Sequence, residues 1–388
     1  MLRYIIRGIL VMAILAGVGF FTLVAGISDR QRNRVTSPHE LVEPDSASQA
    51  LHPALTVVDL HADPLLWPRD LSKRSSHGHV DVPRLIAGNV AIQVFSAVTK
   101  VPPGQNYERN SSDGDQLTLL VAASRWPFPT WKNLLQRALH QASKLEQTED
   151  SAGGRFTIIR RRQELELLLQ SRARNRKRVG GILGLEGLHP LEGNLARLDT
   201  LFAAGYRIGG LTHFFDNEIG GSSAGVAKGG LTRFGREVIG RMEALGMVVD
   251  LAHASPRLVD DVLAMARRPV IVSHTGVQAV CPGSRNLSDA AVRRIATNGG
   301  VIGIGFWDAA VCDITPEGIA KSMRHVANLV GASHVALGSD FDGATTTAFD
   351  ASQLVQVTNA LRAAGFQELE IRAIMGENAL RLLREVLP

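Results

Sequence analysis

Cysteine is scarce in this chain, with two residues among 388. Two cysteines are too few for a disulfide framework, and neither lies in the spacing of a zinc site. Hydrophobic residues make up 45% of the chain and charged residues 20%, with 38 glycines. This composition excludes a disordered or collagen-like chain and supports a sizeable core. The length predicts one large domain with an appendage.

The body of the chain also lacks net charge of either sign. Residues 1–34 carry +4 of the formal charge of +5, and residues 35–388 carry only +1. A near-neutral body is poor evidence for a surface that binds nucleic acid. The one basic run, residues 172–178 beside residues 160–162, is better explained as a solvated helix end. Nucleic acid is therefore not expected as a partner.

Residues 8–27 form an apolar run without a charge. A helix of this length spans roughly 30 Å, the hydrocarbon thickness of a bilayer. The run favours an uncleaved transmembrane anchor over a cleaved signal peptide, whose apolar region has only about 7 to 15 residues. We therefore predict an anchor over residues 1–27 and a linker over residues 28–54. Arginines on both sides of the run leave the orientation open.

From residue 55 onward, short β-branched runs alternate with longer amphipathic stretches, which is typical of βα units and a parallel sheet. The candidate strands are residues 55–60, 90–97, 179–185, 207–212, 247–252, 270–273, 301–306 and 335–339. Eight strands close a (β/α)8 barrel, so we predict an α/β TIM barrel over residues 55–388. An insertion at about residues 99–178 contains a predicted helix near residues 116–146. The alternative is an open doubly wound sheet, but no Gly-x-Gly-x-x-Gly follows the first strand.

Histidines and carboxylates recur where the predicted strands end. They are His61, Asp63, Glu186, His213, His253, His274 and Asp340. Any one of them alone is better explained as a cap or a core residue, but independent structural residues have no reason to share this position. Barrel enzymes place their chemistry there. Nitrogen and oxygen ligands without thiolates suit Zn²⁺, Mn²⁺ or Fe²⁺, and this set is large enough for two metals with one bridging carboxylate.

Seven short motifs resemble one known family. They are Leu-His-Ala-Asp-Pro, Gly-Leu-Glu-Gly-Leu-His, Leu-Thr-His, Asp-Leu-Ala-His, Ser-His, Ser-Arg-Asn-Leu-Ser-Asp and Gly-Ser-Asp-Phe-Asp-Gly. In this order they resemble the membrane (renal) dipeptidases, the M19 zinc peptidases, from about residue 55 to the C-terminus. The resemblance implies a (β/α)8 metal hydrolase with two zinc ions. It implies hydrolysis of the peptide bond of dipeptides by a metal-bridging hydroxide.

The resemblance also assigns the metal ligands. One zinc is held by His61 and Asp63, the other by His253 and His274, and Glu186 bridges them. Independently, His61 and Asp63 are two residues apart, so on an extended chain their side chains point to the same face.

Roles in catalysis follow from the same resemblance. His213 contacts the substrate carbonyl oxygen, Arg285 takes the substrate carboxylate and Asp340 handles the proton. Asp340 has an alternative role in orienting a ligand histidine, and Arg285 has one in a surface salt bridge. A planar guanidinium matches a carboxylate bidentately, which would favour dipeptides over longer peptides.

The two cysteines, Cys281 and Cys312, are predicted on loops at the same end of neighbouring strands. They are either two buried thiols or one bridge in an oxidising compartment. In the family these positions form a disulfide, which implies an extracytoplasmic, periplasmic domain held by the N-terminal segment. Secretion after signal cleavage is the alternative. The chain ends in Arg-Glu-Val-Leu-Pro with no hydrophobic tail, so an anchor is expected only at the N-terminus.

The sequence departs from the family pattern near the expected pocket. Leu188 replaces the second glycine of the usual Glu-Gly-Gly-His, and residues 214–217 differ from the expected run after His213. Neither change removes a ligand, but both put the substrate preference in doubt.

Other functions fit the same residues. The nearest is another binuclear metal hydrolase acting on a lactam, cyclic amide, ester or phosphotriester. A membrane-tethered binding protein with a degenerate site is a second, against which the intact ligand set argues. Barrels of this kind often form homodimers, although nothing in the sequence locates a dimer face.

Overall fold

The structure is a computed structural model that describes residues 2–388, without the side chains of residues 2, 8, 10, 11, 13–16 and 18. The strands are β1 (Arg34–Val35), β2 (Val57–Ala62), β3 (Val90–Val98), β4 (Phe156–Ile158), β5 (Val179–Glu186), β6 (Tyr206–Gly210), β7 (Val248–Asp250), β8 (Ile271–Thr275), β9 (Val301–Ile304), β10 (Val335–Leu337) and β11 (Thr346–Thr347). The helices are α1 (Leu2–Gly19), α2 (Ala25–Arg32), α3 (Ser46–Leu51), α4 (Val82–Ala87), α5 (Leu117–Ala123), α6 (Leu134–Ser151), α7 (Arg162–Arg174), α8 (Ala196–Ala203), α9 (Arg233–Leu245), α10 (Pro256–Leu263), α11 (Asp289–Thr297), α12 (Asp308–Val311), α13 (Pro316–Val330), α14 (Val355–Ala363), α15 (Glu368–Arg372) and α16 (Asn378–Val386).

Eight parallel strands form a closed barrel. Their order is β3-β2-β10-β9-β8-β7-β6-β5, and pairing of β3 with β5 closes the ring. The pairing of β3 with β5 runs from Ile92 opposite Gly180 to Val98 opposite Glu186. The eight-stranded barrel predicted from the sequence is therefore confirmed. The short strand β4, which the pattern did not predict, adds to β5 outside the ring.

The join between β2 and β10 brings the first and last barrel strands together. A single registered pair, Leu337 with Asp59, connects them. The buried Asp59 carboxylate reinforces this seam by accepting hydrogen bonds from the backbone N–H of Ser339 at 2.9 Å and from its hydroxyl at 2.6 Å. Beyond the strands, Asp340 N–H donates to the carbonyl of His61 at 3.2 Å. The seam thus ends at two of the predicted site residues.

The C-terminal helix α16 packs at the end of the barrel opposite those polar residues. Its Leu380, Leu383 and Val386 belong to one buried cluster with inward-facing side chains of the strands, such as Ile92 and Ile208. Apolar side chains thus fill this part of the barrel, and the polar chemistry is left to the other end.

The predicted insertion forms one side of the cavity above the barrel. Helix α6 packs against β3 and β4. The shorter α5 lies beside the chain that leaves β3, where the N–H of Gln116 donates to the carbonyl of Val101 at 3.0 Å. Trp67, Val98, Leu117 and Trp126 form a separate apolar cluster there. The insertion therefore supplies an apolar wall next to the carboxyl ends of the strands.

Residues 28–54, predicted as a linker, contain regular elements. Helix α2 ends at Arg32, β1 pairs in parallel with β11, and α3 begins after Asp45, whose side chain accepts from Ser48 N–H at 2.6 Å. Polar and charged residues dominate the segment, so its sequence has no hydrophobic periodicity that would predict these elements. Its contacts are instead with residues far along the chain.

No helix in the part of the chain that the structure describes is long and apolar enough to cross a bilayer. The predicted anchor, residues 8–27, includes side chains outside the described set. It stays a prediction.

Candidate metal centre and active site

The seven histidines and carboxylates predicted at the strand ends lie together at the carboxyl end of the barrel. Three are the last or near-last residues of strands, namely His61 in β2, Glu186 in β5 and His274 in β8. The others, Asp63, His213, His253 and Asp340, follow their strands closely. All seven are buried. Parallel strands in register therefore bring residues that are distant in sequence to one site.

Glu186 is the centre of this cluster. Its Oε1 lies 2.9 Å from Nε2 of His253 and 3.3 Å from Nε2 of His274. The same oxygen is 3.8 Å from Nε2 of His61, and Oε2 is 3.4 Å from Nε2 of His213. One carboxylate thus faces four imidazoles.

His61 joins this group to two further carboxylates. Its Nε2 lies 3.3 Å from Oδ2 of Asp63 and 3.9 Å from Oδ1 of Asp340. Ligand atoms on a tetrahedral zinc with bonds of about 2.0–2.1 Å lie about 3.3 Å apart. The spacing of the donor atoms therefore fits metal coordination.

Potential ligand atoms form three overlapping groups. They are His61–Glu186–His274, Glu186–His213–His253 and His61–Asp63–Asp340. Two of the groups share Glu186, and two share His61. A carboxylate common to two donor groups is in the position of a metal bridge.

Burial and charge act strongly on the acids of the cluster. Burial, with the charge of Asp63, raises the pKa of Glu186. Burial raises the pKa of Asp340 to about 8, an effect that Asp63 increases and that His61 opposes. Burial alone would lower the pKa of His61, but the carboxylates of Asp63, Glu186 and Asp340 raise it to about 10. The buried carboxylates favour positive charge at this site, and a bound divalent cation can supply that charge.

The other imidazoles are suited to bind metal in the neutral form. Burial lowers the pKa of His253, and Arg285 adds to the shift. Burial also lowers the pKa of His274, with His61 as the next cause. Among the described side chains, buried Oδ1 of Asp63 has no hydrogen-bond partner. An unpaired buried carboxylate oxygen among neutral imidazoles fits a metal ligand.

Backbone and neighbouring side chains hold the ligands in place. The hydroxyl of Ser273 donates to Asp250 at 2.6 Å and lies 2.9 Å from Nδ1 of His274 and 3.3 Å from Nδ1 of His61. Orienting contacts of this kind fix the ring positions of metal-ligating histidines. His253 has a φ of 62°, in the left-handed region that residues other than glycine rarely adopt and that clusters at functional sites.

The cluster forms the inner end of a pocket. Asp63, Glu186, His213, His253 and Asp340 line it together with Arg285. Arg285 is buried and donates from Nη2 to the carbonyl of His274 at 2.8 Å, while its Nε has no partner among the described groups. The guanidinium also lies over the Trp307 ring, 5.6 Å from the centroid. A buried donor thus remains free beside the cluster of histidines and carboxylates.

Family comparison decides the identity of this site. The family model for membrane dipeptidases, peptidase family M19, matches residues 46–387. The chain belongs to this family. It is thus a metallopeptidase of the dipeptidase class, and its cluster of histidines and acids is where such an enzyme would hold metal.

Relatives and solved structures agree with this membership. The chain is 30% identical to the dipeptidase tcpJ of Claviceps purpurea over 354 residues, 89% of this chain and 77% of that protein. A solved M19 dipeptidase AC superposes with a TM-score of 0.70 at 26% identity, over 86% of this chain and 99% of that one. A metallopeptidase from Rhodobacter sphaeroides, solved with a phosphinate mimic of the dipeptide L-Ala-D-Ala, superposes equally well at 25% identity, with the same coverage.

Two pocket residues outside the predicted set, Tyr107 and Phe214, come from irregular segments. Tyr107 lies in the insertion, and its hydroxyl accepts from Nε1 of Trp307 at 3.1 Å. Burial and the charge of Asp340 raise the Tyr107 pKa to about 12, so the phenol stays protonated. Phe214, one of the departures noted in the sequence, lines the pocket, whereas Leu188 does not. Loop residues of this kind follow no periodic pattern that would reveal them.

Cys281 and Cys312 are disulfide-bonded to one another. The bridge joins the chain after β8 to the end of α12. Arg285 follows Cys281 in the same loop, where Asn286 donates to the carbonyls of Cys281 and Ala309 at 2.7 and 2.9 Å. The bridge and the amide together hold the loop that carries Arg285.

Proposed function

We propose that the chain is a zinc-dependent dipeptidase that hydrolyses dipeptides with a free C-terminal carboxylate. The observation that carries this proposal is one pocket that combines the Glu186-centred ligand cluster with the unpartnered, buried Nε of Arg285. The cluster would bind the metal that hydrolyses an amide. Arg285 would bind a free carboxylate next to that amide, as a dipeptide has.

The proposed ligands are His61 and Asp63 for one zinc and His253 and His274 for the other, with Glu186 shared. Bound zinc would lower the pKa of water to about 7 and polarise the scissile carbonyl. The donor spacing and the buried negative charge described above support this assignment.

Asp340 is the proposed proton carrier. Its carboxylate lines the pocket on the side of His61, and its raised pKa suits a group that takes a proton from the attacking water and passes it to the leaving amine. His213 is placed on the other side of Glu186, where an imidazole N–H can donate to the oxyanion that develops on the carbonyl. The two residues would act on opposite ends of the breaking bond.

Arg285 is the proposed recognition residue for the substrate carboxylate. Its position is fixed by the bond to the His274 carbonyl and by the Trp307 ring. A guanidinium held this way orients a carboxylate with little further loss of side-chain entropy. A carboxylate held there would place the C-terminal amide at the metal centre, and in a dipeptide this amide is the one peptide bond.

Hydrolysis of a small panel by the full-length chain tests the proposed function. The panel contains L,L and L,D dipeptides, including L-Ala-D-Ala, and the same dipeptides with an amidated C-terminus. We expect cleavage of the free dipeptides, loss of cleavage after chelation and recovery when zinc is restored. Zinc-loaded protein that cleaves none of them would contradict the proposal and favour a lactam, cyclic amide or ester substrate.

Replacing Arg285 by Ala is expected to affect the hydrolysis of free dipeptides much more than that of dipeptides with an amidated C-terminus. Hydrolysis of free dipeptides should fall by about 10- to 100-fold in kcat/KM, because a charge-assisted hydrogen bond contributes roughly 1.5–3 kcal/mol. Residual hydrolysis of amidated dipeptides should change little. Equal losses for both kinds of substrate would exclude carboxylate recognition by Arg285.

We also propose that residues 8–27 anchor the chain in a membrane with the barrel on the extracytoplasmic side. The Cys281–Cys312 bridge supports this side, because disulfides persist in oxidising compartments. Full-length chain that stays with membranes after an alkaline wash, and that external protease digests in spheroplasts, would agree. Release by the wash or protection from protease would contradict the proposal.

A further inference from the structure

The end of helix α2 forms part of the active-site pocket. Ser28 and Arg32 line the same cavity as Glu186, Arg285 and Asp340. The family match begins at residue 46, so the segment that carries Arg32 precedes the matched region. A segment outside the matched region thus forms part of the wall of this pocket.

Arg32 lies between two firmly held neighbours. The buried carboxylate of Asp29 accepts from Nε of Arg69 at 2.9 Å, and Nδ2 of Asn33 donates to it at 2.8 Å. The side-chain Oδ1 of Asn33 accepts from the backbone N–H of Ala344 at 3.0 Å. Asp29 and Asn33 therefore fix the backbone on both sides of Arg32.

The same contacts join α2 to the loop that carries Asp340. Arg69 bridges Asp29 to Asp342, whose Oδ1 lies 2.8 Å from Nη2 of Arg69. Asp342 also accepts from the backbone N–H groups of residues 79 and 80, at 2.8 and 3.0 Å. After Arg32, the chain pairs with β11 through Arg34 and Val35. The position of Arg32 relative to the catalytic loop is thus set by buried contacts.

Arg32 itself is an exposed cation without a carboxylate partner among the residues that the structure describes. The carboxylates that line the same pocket already have a partner or a proposed role. Asp63 and Glu186 are proposed metal ligands, Asp340 is the proposed proton carrier, and Asp342 is paired with Arg69. Arg285 is assigned to the substrate's C-terminal carboxylate. A second anionic group on the substrate would therefore be the one to meet Arg32.

We propose that Arg32 is a specificity-determining residue that favours dipeptides with an acidic side chain. The inference rests on the proposed dipeptidase function and names its preferred substrate class. At the solvent-exposed edge of a pocket an ion pair has a modest effect, so the preference should be about three- to fivefold in kcat/KM.

Matched substrate pairs on the full-length, zinc-loaded chain test this inference. Ala-Glu is compared with Ala-Gln, and Glu-Ala with Gln-Ala, because each pair differs by one charge at nearly constant shape. We expect an acidic preference in at least one pair that weakens as salt is raised. In R32A that preference should disappear, while kcat/KM for Ala-Ala stays within about twofold of the original chain. R32E should reverse the preference, and R32K should retain most of it.

Arg30→Ala is the matched control, because Arg30 is an exposed arginine of the same helix that does not line the pocket. It should leave the acidic preference intact. An acidic preference that is absent from the original chain, survives in R32A or disappears in R30A would overturn the inference. Failure of the original chain to hydrolyse Ala-Ala as well would instead contradict the dipeptidase function itself.

Discussion

Glu186→Gln is expected to remove bound metal and activity together. The amide is close in shape to the carboxylate but carries no charge and has only one acceptor oxygen, so it cannot bridge two cations. Glu186 is also the group that faces four imidazoles in the structure. We expect zinc content to fall from two ions per chain to one or fewer, and kcat/KM to fall by at least about 10³-fold.

Metal analysis of the purified variant, followed by dipeptide hydrolysis with added zinc, checks this expectation. Glu218→Gln is a suitable control, because Glu218 is exposed and does not line the pocket. It should keep both the metal and the rate. A Glu186 variant with two zinc ions and normal turnover would show that this carboxylate is not the bridge.

Asp340→Asn should have a different effect, with zinc retained and the maximal rate lost. The amide keeps the size of the side chain but cannot accept and return a proton. General acid–base catalysis contributes about 10²- to 10⁴-fold, so kcat should fall by that factor. KM should change little, because the proposed contact of the substrate carboxylate is with Arg285 rather than Asp340.

Steady-state kinetics and metal analysis on the same preparation separate these outcomes. Asp150→Asn, on the exposed side of α6, controls for the loss of one carboxylate. A variant of Asp340 that has lost metal would place this residue among the ligands, a role that its distance of 3.9 Å from His61 permits. A rise in KM at constant kcat would make it a binding residue instead.

The sequence was sufficient to predict the barrel and its polar end, because both depend on local pattern. β-Branched runs predicted all eight barrel strands, although β2 begins at Val57 and extends to Ala62, two residues later than predicted. The residue that follows an apolar run can be identified without knowing the fold. Parallel pairing then brings such residues to one end of the barrel. The sequence alone therefore predicted that the seven site residues lie together.

Features that depend on contacts between distant segments could not be predicted in this way. Arg32, at the end of helix α2, and Tyr107, in the insertion, reach the pocket from segments whose positions depend on partners at least 200 residues away. These partners are Ala344 for the Arg32 segment and Trp307 for Tyr107. Residues 28–54 have the composition of a linker, yet Asp29 is fully buried because Arg69 neutralises it. Composition alone cannot reveal such a partner.

The seam between β2 and β10 has a consequence for how the enzyme is assembled. Of the proposed ligands, His61 lies near the end of β2, the first strand of the barrel, and Asp63 follows that strand. The remaining proposed ligands, Glu186, His253 and His274, come from the middle strands, and the proposed proton carrier Asp340 follows the last strand, β10. A nascent chain without β10 therefore carries the five proposed ligands but lacks the strand that pairs with β2 beside His61. Since metal ions bind weakly to ligands that are not yet held in place, zinc uptake should be a late event that locks the two ends of the barrel together. Bound metal would then stabilise the closed ring as well as serve catalysis.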